Sequence, residues 1–379
     1  MNCEEFLNLG GTDLAAVLAH VDRALELGEG ELLLAVGSLA ENMGTSKSDF
    51  DLLWITERTA EQLPADEHIP FWVGRCLVDV HVWPLREFTA LVDRFDEWVR
   101  TPWSVMHPAR FSLDERTLLH RLIHGRILHA GRREQISARM PARGDLAKLR
   151  LQVARHVSRT IQVDLAGYRE LEDYRTLTFA AQELLGHAVD ALLASHELTN
   201  PLVKWRSRLL DALPADWEQV LAVRPSGASA RDRMWQLHRA PARAQRRAVL
   251  EHAFAISTFA RAVFLAAELA LVKQSAPKPK GAGFRPGAGA RRERALPCLD
   301  LDVDFSLGDR RVAIGRLNDL GQAFEVGARE AELVVLFDGH TTPREAERII
   351  EGVGGRQSGA KVLQRLVAHV EQAGFGVQR

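Results

Sequence analysis

Apolar residues recur with two different spacings along the chain, and the change between them divides the sequence. In the first hundred residues, short apolar runs at 32–37, 50–56 and 76–83 predict β-strands, and the amphipathic segments 12–27 and 85–100 predict helices. From about residue 114 the helical spacing takes over, and it predicts helices at 114–130, 145–168, 175–195, 201–213 and 241–273. We therefore expect an α/β domain over residues 1–106 and an all-helical bundle over residues 107–274.

A linker and a small third domain are expected to follow. Residues 273–294 hold seven Lys or Arg against one Glu, and Phe284 is their only large apolar residue, so a flexible basic linker is predicted over 275–298. Residues 299–379 regain an apolar pattern, which predicts three strands at 301–305, 310–314 and 322–326, then three helices at 331–337, 342–351 and 359–373. The predicted fold class is α+β.

Bulk composition limits the function classes. A chain of 379 residues is long enough for two or three domains, and its formal net charge of −1 creates no field that attracts nucleic acid or membrane. Three scattered cysteines predict neither a disulfide framework nor a zinc site. No apolar run of signal-peptide or membrane-spanning type is evident, so we expect a soluble, cytoplasmic protein without a membrane partner.

Three acidic residues lie on two of the predicted strands. Asp49 and Asp51 are two apart in an apolar strand, which would place them on one face, and Asp79 lies in the next run, 76–83. Adjacent carboxylates in an apolar strand are costly unless a cation lies between them. Carboxylate oxygens are suitable ligands for Mg²⁺, so the sequence predicts a divalent-metal site here. His81, two residues after Asp79, is interpreted as a structural hydrogen-bonding residue and is left out of this site.

The residues after the first strand fit the same chemistry. Gly37 allows the backbone to turn sharply and approach a ligand, and Ser38 offers a hydroxyl and the cap of a following helix. A strand, Gly-Ser and helix in this order suit a bound phosphate.

These residues together resemble the nucleotidyltransferase fold of the DNA polymerase beta superfamily. Gly37-Ser38, then Ser48-Asp49-Phe50-Asp51-Leu52, then Asp79 on a later strand is similar to its small-molecule and antitoxin-type members, which include aminoglycoside nucleotidyltransferases. The resemblance covers about the first hundred residues. It implies that Asp49, Asp51 and Asp79 are catalytic ligands of two Mg²⁺ ions, and that the nucleotide, ATP by expectation, is bound by Gly37, Ser38 and Ser48.

One position departs from the family pattern. Those members usually carry Arg-Gly just after Gly-Ser-x-Ala, whereas this chain has Glu41-Asn42. The basic contact to the triphosphate is then expected to come from another residue, or activity is altered. A catalytically inactive binding scaffold is the corresponding alternative.

Two residues of the helical region are weaker candidates. Lys204, in Pro201-Leu202-Val203-Lys204-Trp205, resembles a lysine that some of these enzymes place near the phosphates, and the alternative is a solvated lysine. Glu183 is a candidate general base toward the acceptor hydroxyl, and a merely exposed glutamate is the favoured alternative. The tryptophans 72, 83, 98 and 103 line a base-stacking pocket or, as the favoured interpretation, form core.

The C-terminal segment resembles the PqqD-like winged-helix domain, the precursor-recognition element of ribosomal peptide pathways. The resemblance depends on the order of three strands and three helices and on Leu336-Phe337-Asp338-Gly339-His340-Thr341. It implies capture of a leader peptide as an added strand, with apolar side chains in a groove beside the third helix. DNA is not expected as a partner, since residues 299–379 hold thirteen acids against ten Lys and Arg.

The predicted function is transfer of a nucleotidyl group from an NTP to an acceptor hydroxyl, with release of pyrophosphate. If the C-terminal domain recognises peptides, the acceptor is a ribosomally made peptide or an intermediate bound to one. The alternatives are an aminoglycoside-like small acceptor, the end of an RNA, or an antitoxin-like regulatory protein that modifies or binds its partner.

Overall fold

The computed structural model describes residues 1–29, 31–58, 62, 68–130, 139–199, 202–221, 223, 226–243, 245–272, 295–351 and 356–377. The chain forms two compact units: residues 1–102 with 109–146, and residues 103–108 with 147–379. Both contain helices and strands, and the predicted α+β class is confirmed.

The first unit is built on a five-stranded mixed sheet. Its spatial order is β3-β4-β2-β1-β5, in which β2 and β4 run parallel and every other neighbouring pair is antiparallel. The strands are β1 (Leu32–Ala35), β2 (Phe50–Thr56), β3 (His68–Val73), β4 (Cys76–Pro84) and β5 (Arg126–Ala130), and the helices are α1 (Cys3–Leu9), α2 (Leu14–Leu25), α3 (Gly37–Ala40), α4 (Leu85–Val99) and α5 (Leu113–His124).

Helices cover the two faces of this sheet unequally. On one face, Phe50, Leu52 and Trp54 of β2 form a buried core with residues of α1 and α2. On the other face, α4 packs against β2 and β4. Because side chains alternate between faces, Asp51 of β2 belongs to the face that carries α4.

The sheet contains two strands that the sequence analysis missed. β3 was not predicted, and the helix expected at 114–130 ends at His124, so its last six residues were wrongly assigned. Gly125 adopts an extended conformation, and a Cβ there would collide with the carbonyl oxygen of Arg121. The chain then pairs with β1 as β5, which supplies hydrogen bonds to the β1 edge.

The second unit contains long helices around an apolar core. Two long helices that pack against each other, Tyr174–Ser195 and Arg246–Val272, contribute many of the buried residues of that core. The helices of this region are α6 (Arg143–Glu170, which begins in the first unit), α7 (Tyr174–Ser195), α8 (Arg206–Leu210), α9 (Ala230–His238) and α10 (Arg246–Val272).

Helix α10 is long and apolar enough to cross a membrane, and it alone meets that test in the part of the chain that the structure describes. However, 67% of its most apolar stretch is buried inside the protein. It also carries Arg261 and Glu268, both buried within the second unit. This degree of burial is typical of a core helix of a folded domain.

The C-terminal part contains a three-stranded antiparallel sheet of order β7-β8-β9, followed by three helices. Two further short strands, β6 near the start of this part and β10 at its end, form an antiparallel pair. The elements are β6 (Cys298–Leu299), β7 (Val303–Leu307), β8 (Val312–Arg316), β9 (Asp319–Val326), α11 (Ala328–Val335), α12 (Pro343–Glu351), α13 (Arg356–Gln372) and β10 (Gly376–Val377).

This C-terminal part shares one core with the helical bundle, and the two belong to one compact unit, whereas the domains at 107–274 and 299–379 remain a prediction. The physical reason for the shared core is a buried charge network. Arg155 of α6 lies 2.9 Å from Asp304 of β7 and 3.1 Å from Glu268 of α10, and all three side chains are at most 3% exposed. Most of the predicted linker, 275–298, lies outside the described residues, and Cys298 at its end is buried.

Candidate functional site

Gly37 brings the backbone against the carboxylate of Asp51. After β1, the N–H of Val36 donates to the Asp51 carbonyl oxygen at 2.9 Å, and Gly37 follows with φ of +73°. Any other L-residue is strained at this φ, and a Cβ on Gly37 would overlap Oδ2 of Asp51. Glycine is therefore required twice here, for its conformation and for the space beside the carboxylate.

Asp51 and Asp79 are direct neighbours on the parallel strands β2 and β4. Residues paired in register point to the same face, so the two carboxylates share it. Nδ1 of His68, on β3, lies 2.9 Å from Asp79 Oδ2. The other oxygen, Asp79 Oδ1, is buried and has no hydrogen-bond partner in the part of the chain that the structure describes. An orphaned carboxylate oxygen of this kind is costly, and a cation would satisfy it.

The electrostatic surroundings disfavour ionisation of Asp51. Burial, then the charge of Asp49 and more weakly that of Asp79, raises the pKa of Asp51 to about 6 from 3.8, although Arg121 and His68 act in the opposite direction. A strongly raised carboxyl pKa in a cleft is typical of a functional site, since such a group is stabilised when a cation binds.

Asp49 lies just outside the strand that carries Asp51. β2 begins at Phe50, and Asp49 is exposed, yet its charge is the neighbouring charge that raises the pKa of Asp51 most. Beside it, the Ser48 hydroxyl accepts from the backbone N–H of Thr45 at 2.9 Å and lies 3.4 Å from the Ser38 hydroxyl. These contacts connect the Gly-Ser turn to the segment that carries Asp49.

No three His, Cys, Asp or Glu side chains within the described ranges converge well enough to hold a metal ion by themselves. Mg²⁺ commonly takes only one or two carboxylates and completes its shell with water and substrate phosphates. Asp51 and Asp79 fit a Mg²⁺ site of this kind, in which two carboxylates bind the ion and substrate phosphates complete its shell.

Arg121 of α5 is a site residue that the sequence analysis missed. Its Nη1 lies 2.8 Å from Nδ1 of His81, which must accept because a guanidinium only donates. Its charge also lowers the pKa of Asp51. Among the described residues no carboxylate lies within ion-pair distance of Arg121. The only sequence signal was its place in the predicted helix 114–130, which did not indicate proximity to the acids.

Glu41, the departure from the family pattern, is hydrogen-bonded to His120, the residue that precedes Arg121 on helix α5. Its Oε1 lies 2.9 Å from Nε2 of His120, whose side chain is 2% exposed. The neighbouring His124 ring stacks on His120 with centroids 4.4 Å apart. Helix α5 therefore supplies a hydrogen-bond partner for Glu41 through His120, and its Arg121 carries a charge that acts on Asp51.

A cavity of about 590 Å³ adjoins the site in the first unit. Its lining includes Ser48 and Asp49 together with Lys47, Trp72 and Arg75. A volume of this size is within the range of small-molecule sites. Of the other predicted pocket residues, Trp98 is fully buried and belongs to the core.

The two weaker candidates belong to the second unit. Lys204 is exposed, and its ammonium lies 5.1 Å from the ring centre of Trp205. Glu183 is exposed on α7. The first unit brings together the other predicted site residues, namely Gly37, Ser38, Ser48, Asp49, Asp51 and Asp79.

Comparison with known proteins gives little further information. No protein-family model matches the chain, and no curated protein matches it. Among solved structures, the chain is similar to a nucleotidyltransferase-like protein from Exiguobacterium sibiricum 255-15, with 12% sequence identity and a TM-score of 0.38 over 69% of this chain and 78% of that one. Similarity at this level establishes neither a family nor an activity.

Proposed function

We propose that this protein is a metal-dependent nucleotidyltransferase, which moves NMP from an NTP, by expectation ATP, to an acceptor hydroxyl and releases pyrophosphate. The observation that carries the proposal is the pair Asp51 and Asp79, in register on parallel strands beside the Gly37 turn. Few structural roles account for two neighbouring carboxylates, one with an orphaned buried oxygen and the other with a pKa near 6.

The residues present fit a bound Mg²⁺. Asp79 Oδ1 has no hydrogen-bond partner among the described residues, and glycine at position 37 leaves space beside the Asp51 carboxylate that a Cβ would fill. Asp51 and Asp79 would hold the ion together with the triphosphate, and the exposed Asp49 would join when a nucleotide brings a second ion. When bound, Mg²⁺ neutralises charge on the phosphates and lowers the pKa of the acceptor hydroxyl.

The protein's own groups would then orient the reactants. The Gly37 backbone and the Ser38 and Ser48 hydroxyls donate to phosphate oxygens. The acceptor oxygen would form a bond to the α-phosphorus, the bond from that phosphorus to the bridging oxygen would break, and the acceptor's proton would pass to solvent water. Arg121, whose charge acts on Asp51, would oppose the negative charge that develops on the departing pyrophosphate. Glu183 as base and Lys204 as phosphate contact remain predictions.

Pyrophosphate release tests this function directly. The full chain is incubated with Mg²⁺, each α-labelled NTP and a panel of hydroxylated acceptors, and wild type is compared with Asp49→Asn and Asp51→Asn. Asp22→Asn, an exposed aspartate on α2, is the matched control. We expect label transfer in wild type and the control, and at least a hundredfold loss in both site variants. Equal, background-level release in all four proteins would refute the proposal.

For the acceptor, we propose a peptide or a peptide-bound intermediate held by the C-terminal sheet. One edge of that sheet is already covered, because Arg155 donates to the Phe305 carbonyl and Arg261 donates to the Val303 carbonyl at 2.8 Å. The other edge is β9, and no described strand pairs with its outer side. Phe324 of β9 is half-buried, 5.3 Å from the His369 ring of α13. Strand addition at β9 would place peptide side chains near this helix.

Peptide binding should be measured on the full chain, since the C-terminal part shares its core with the helical bundle. We expect short peptides selected from a random library to bind, and the same peptides with N-methylated amides to fail, because strand addition needs their N–H groups. If no peptide binds, or if N-methylation has no effect, this acceptor is excluded. A small hydroxylated molecule then becomes the leading candidate.

A further inference from the structure

The cavity beside Asp49 has features that the metal site does not need. Its wall includes Trp72, which is 64% exposed, and the half-buried Leu77. The exposed indole of a tryptophan offers a large flat apolar surface on which another ring can stack. Trp72 therefore presents an open aromatic platform in a cavity of about 590 Å³.

The strand register fixes the relation of this platform to the acids. In the antiparallel pair β3 and β4, Pro70 is opposite Asp79 and Trp72 is opposite Leu77. Trp72 therefore lies on the same face as Asp79, as its diagonal neighbour, with Cα atoms about 7–8 Å apart. An aromatic ring stacked on the indole would be separated from the metal-binding carboxylate by about the length of a sugar.

The charges in the cavity favour an anionic ligand. Lys47 is exposed, directly precedes Ser48, and forms no ion pair with any residue that the structure describes. Arg75 adds a second cation, held by the Leu9 carbonyl at 2.9 Å through Nη2. Asp49 is the acid of this wall, at the end next to the proposed metal.

We propose that this cavity is the nucleoside subsite: the base of the NTP stacks on Trp72, and Lys47 contacts its phosphates as they pass Ser48 toward Asp51. This inference rests on the proposed nucleotidyl transfer and adds the orientation of the substrate. Stacking on an indole does not depend on which base is present, because every base has a flat face. Any of the four NTPs should therefore bind.

The test compares a ligand that has a base with one that lacks it. Binding of Mg·ATP and of Mg²⁺ with inorganic tripolyphosphate is measured by calorimetry on the full chain, for wild type, Trp72→Ala, Trp72→Phe and Lys47→Gln. Trp235→Ala is the matched control, a tryptophan of equal exposure (65%) on α9. Circular dichroism checks that every variant is folded.

We expect Trp72→Ala to weaken ATP binding by roughly 5- to 150-fold and to leave tripolyphosphate binding unchanged. Trp72→Phe should retain most of the affinity, Lys47→Gln should weaken both ligands, and Trp235→Ala should weaken neither. If Trp72→Ala binds ATP as wild type does, or loses tripolyphosphate equally, the subsite is refuted.

Failure of this inference differs from failure of the proposed function. If wild type binds no NTP and releases no pyrophosphate, the function itself is refuted. If wild type turns over and Trp72→Ala keeps the same KM for every NTP, only the base-stacking subsite is wrong.

Discussion

Replacing Asp51 by Asn should stabilise the metal-free protein at neutral pH. Burial and the charges of Asp49 and Asp79 raise the pKa of Asp51 to about 6 from 3.8, so the folded protein holds this proton over a pH range in which the unfolded chain has lost it. Where the native state binds more protons, stability falls as pH rises. Asparagine has nearly the same shape and no charge, so Asp51→Asn removes this loss of stability with rising pH.

The magnitude follows from the two pKa values. A carboxyl group with a pKa of 3.8 in the unfolded chain and about 6 in the native state lowers the free energy of unfolding by about 1–2 kcal/mol at pH 5.0 and by about 3 kcal/mol at pH 7.5. The advantage of Asp51→Asn over wild type should therefore nearly double between these two pH values, and at still lower pH it should disappear.

Hydrogen exchange measured by mass spectrometry is the suitable assay, because a chain with two compact units need not unfold in one step. Opening free energies of the β2 and β4 amides are compared in EDTA at pH 5.0 and 7.5, with exchange rates corrected for pH. Asp22→Asn, on the exposed face of α2, should change them by less than about 0.5 kcal/mol. If Asp51→Asn gains nothing at pH 7.5, or gains equally at both pH values, the electrostatic account of this site is wrong.

Three further predictions concern single residues. Gly37→Ala should cost about 1–2 kcal/mol in stability from its φ of +73° and should also weaken Mg·ATP binding measured by calorimetry, since its Cβ displaces the Asp51 carboxylate. Arg121→Gln should lower kcat at least tenfold while Arg121→Lys keeps part of it, and equal kcat for all three proteins would exclude a charge role. Asp304→Ala should destabilise the second unit by about 3–5 kcal/mol in urea unfolding, because it leaves Arg155 buried beside one fewer carboxylate.

The regular elements were predictable where a periodic pattern was long. β2 was predicted at its observed limits, and helices α4, α7 and α10 were predicted to within a few residues, because their apolar positions repeat without interruption. β5 was missed because its pairing with β1 is not encoded locally. The segment after Gly125 has a pattern that fits either a helix or a strand, and only a neighbouring strand edge decides between them.

The common core of the bundle and the C-terminal sheet depends on contacts that are also distant in sequence. The bundle and the C-terminal sheet are distant in sequence, and their common core depends on Arg155 reaching Asp304, a contact between positions 149 residues apart. Nothing in either local pattern indicates that pairing. Apolar periodicity locates the elements of a core, whereas buried ion pairs decide which elements share it.

The site shows the same division between local and distant information. Gly37, Ser38 and Asp51 could be selected from sequence, because the chemistry of a turn and of acids in an apolar strand is visible in neighbouring residues. Arg121 could not be selected, since its role depends on α5 lying beside β2 and β4.

The pairing of Glu41 with His120 joins a residue visible in the local sequence pattern to one that only the fold brings near it. A carboxylate in the turn after Ser38 would by itself repel a triphosphate, but it is held 2.9 Å from the buried His120, and the charge of the next residue along α5, Arg121, acts on Asp51. On this account Glu41→Ala should destabilise the first unit by about 1–3 kcal/mol, the cost of removing a hydrogen bond to a buried imidazole, and should not raise activity. A variant that is as stable as wild type and more active would show that Glu41 only inhibits, and the inactive scaffold would then be the better interpretation of this chain.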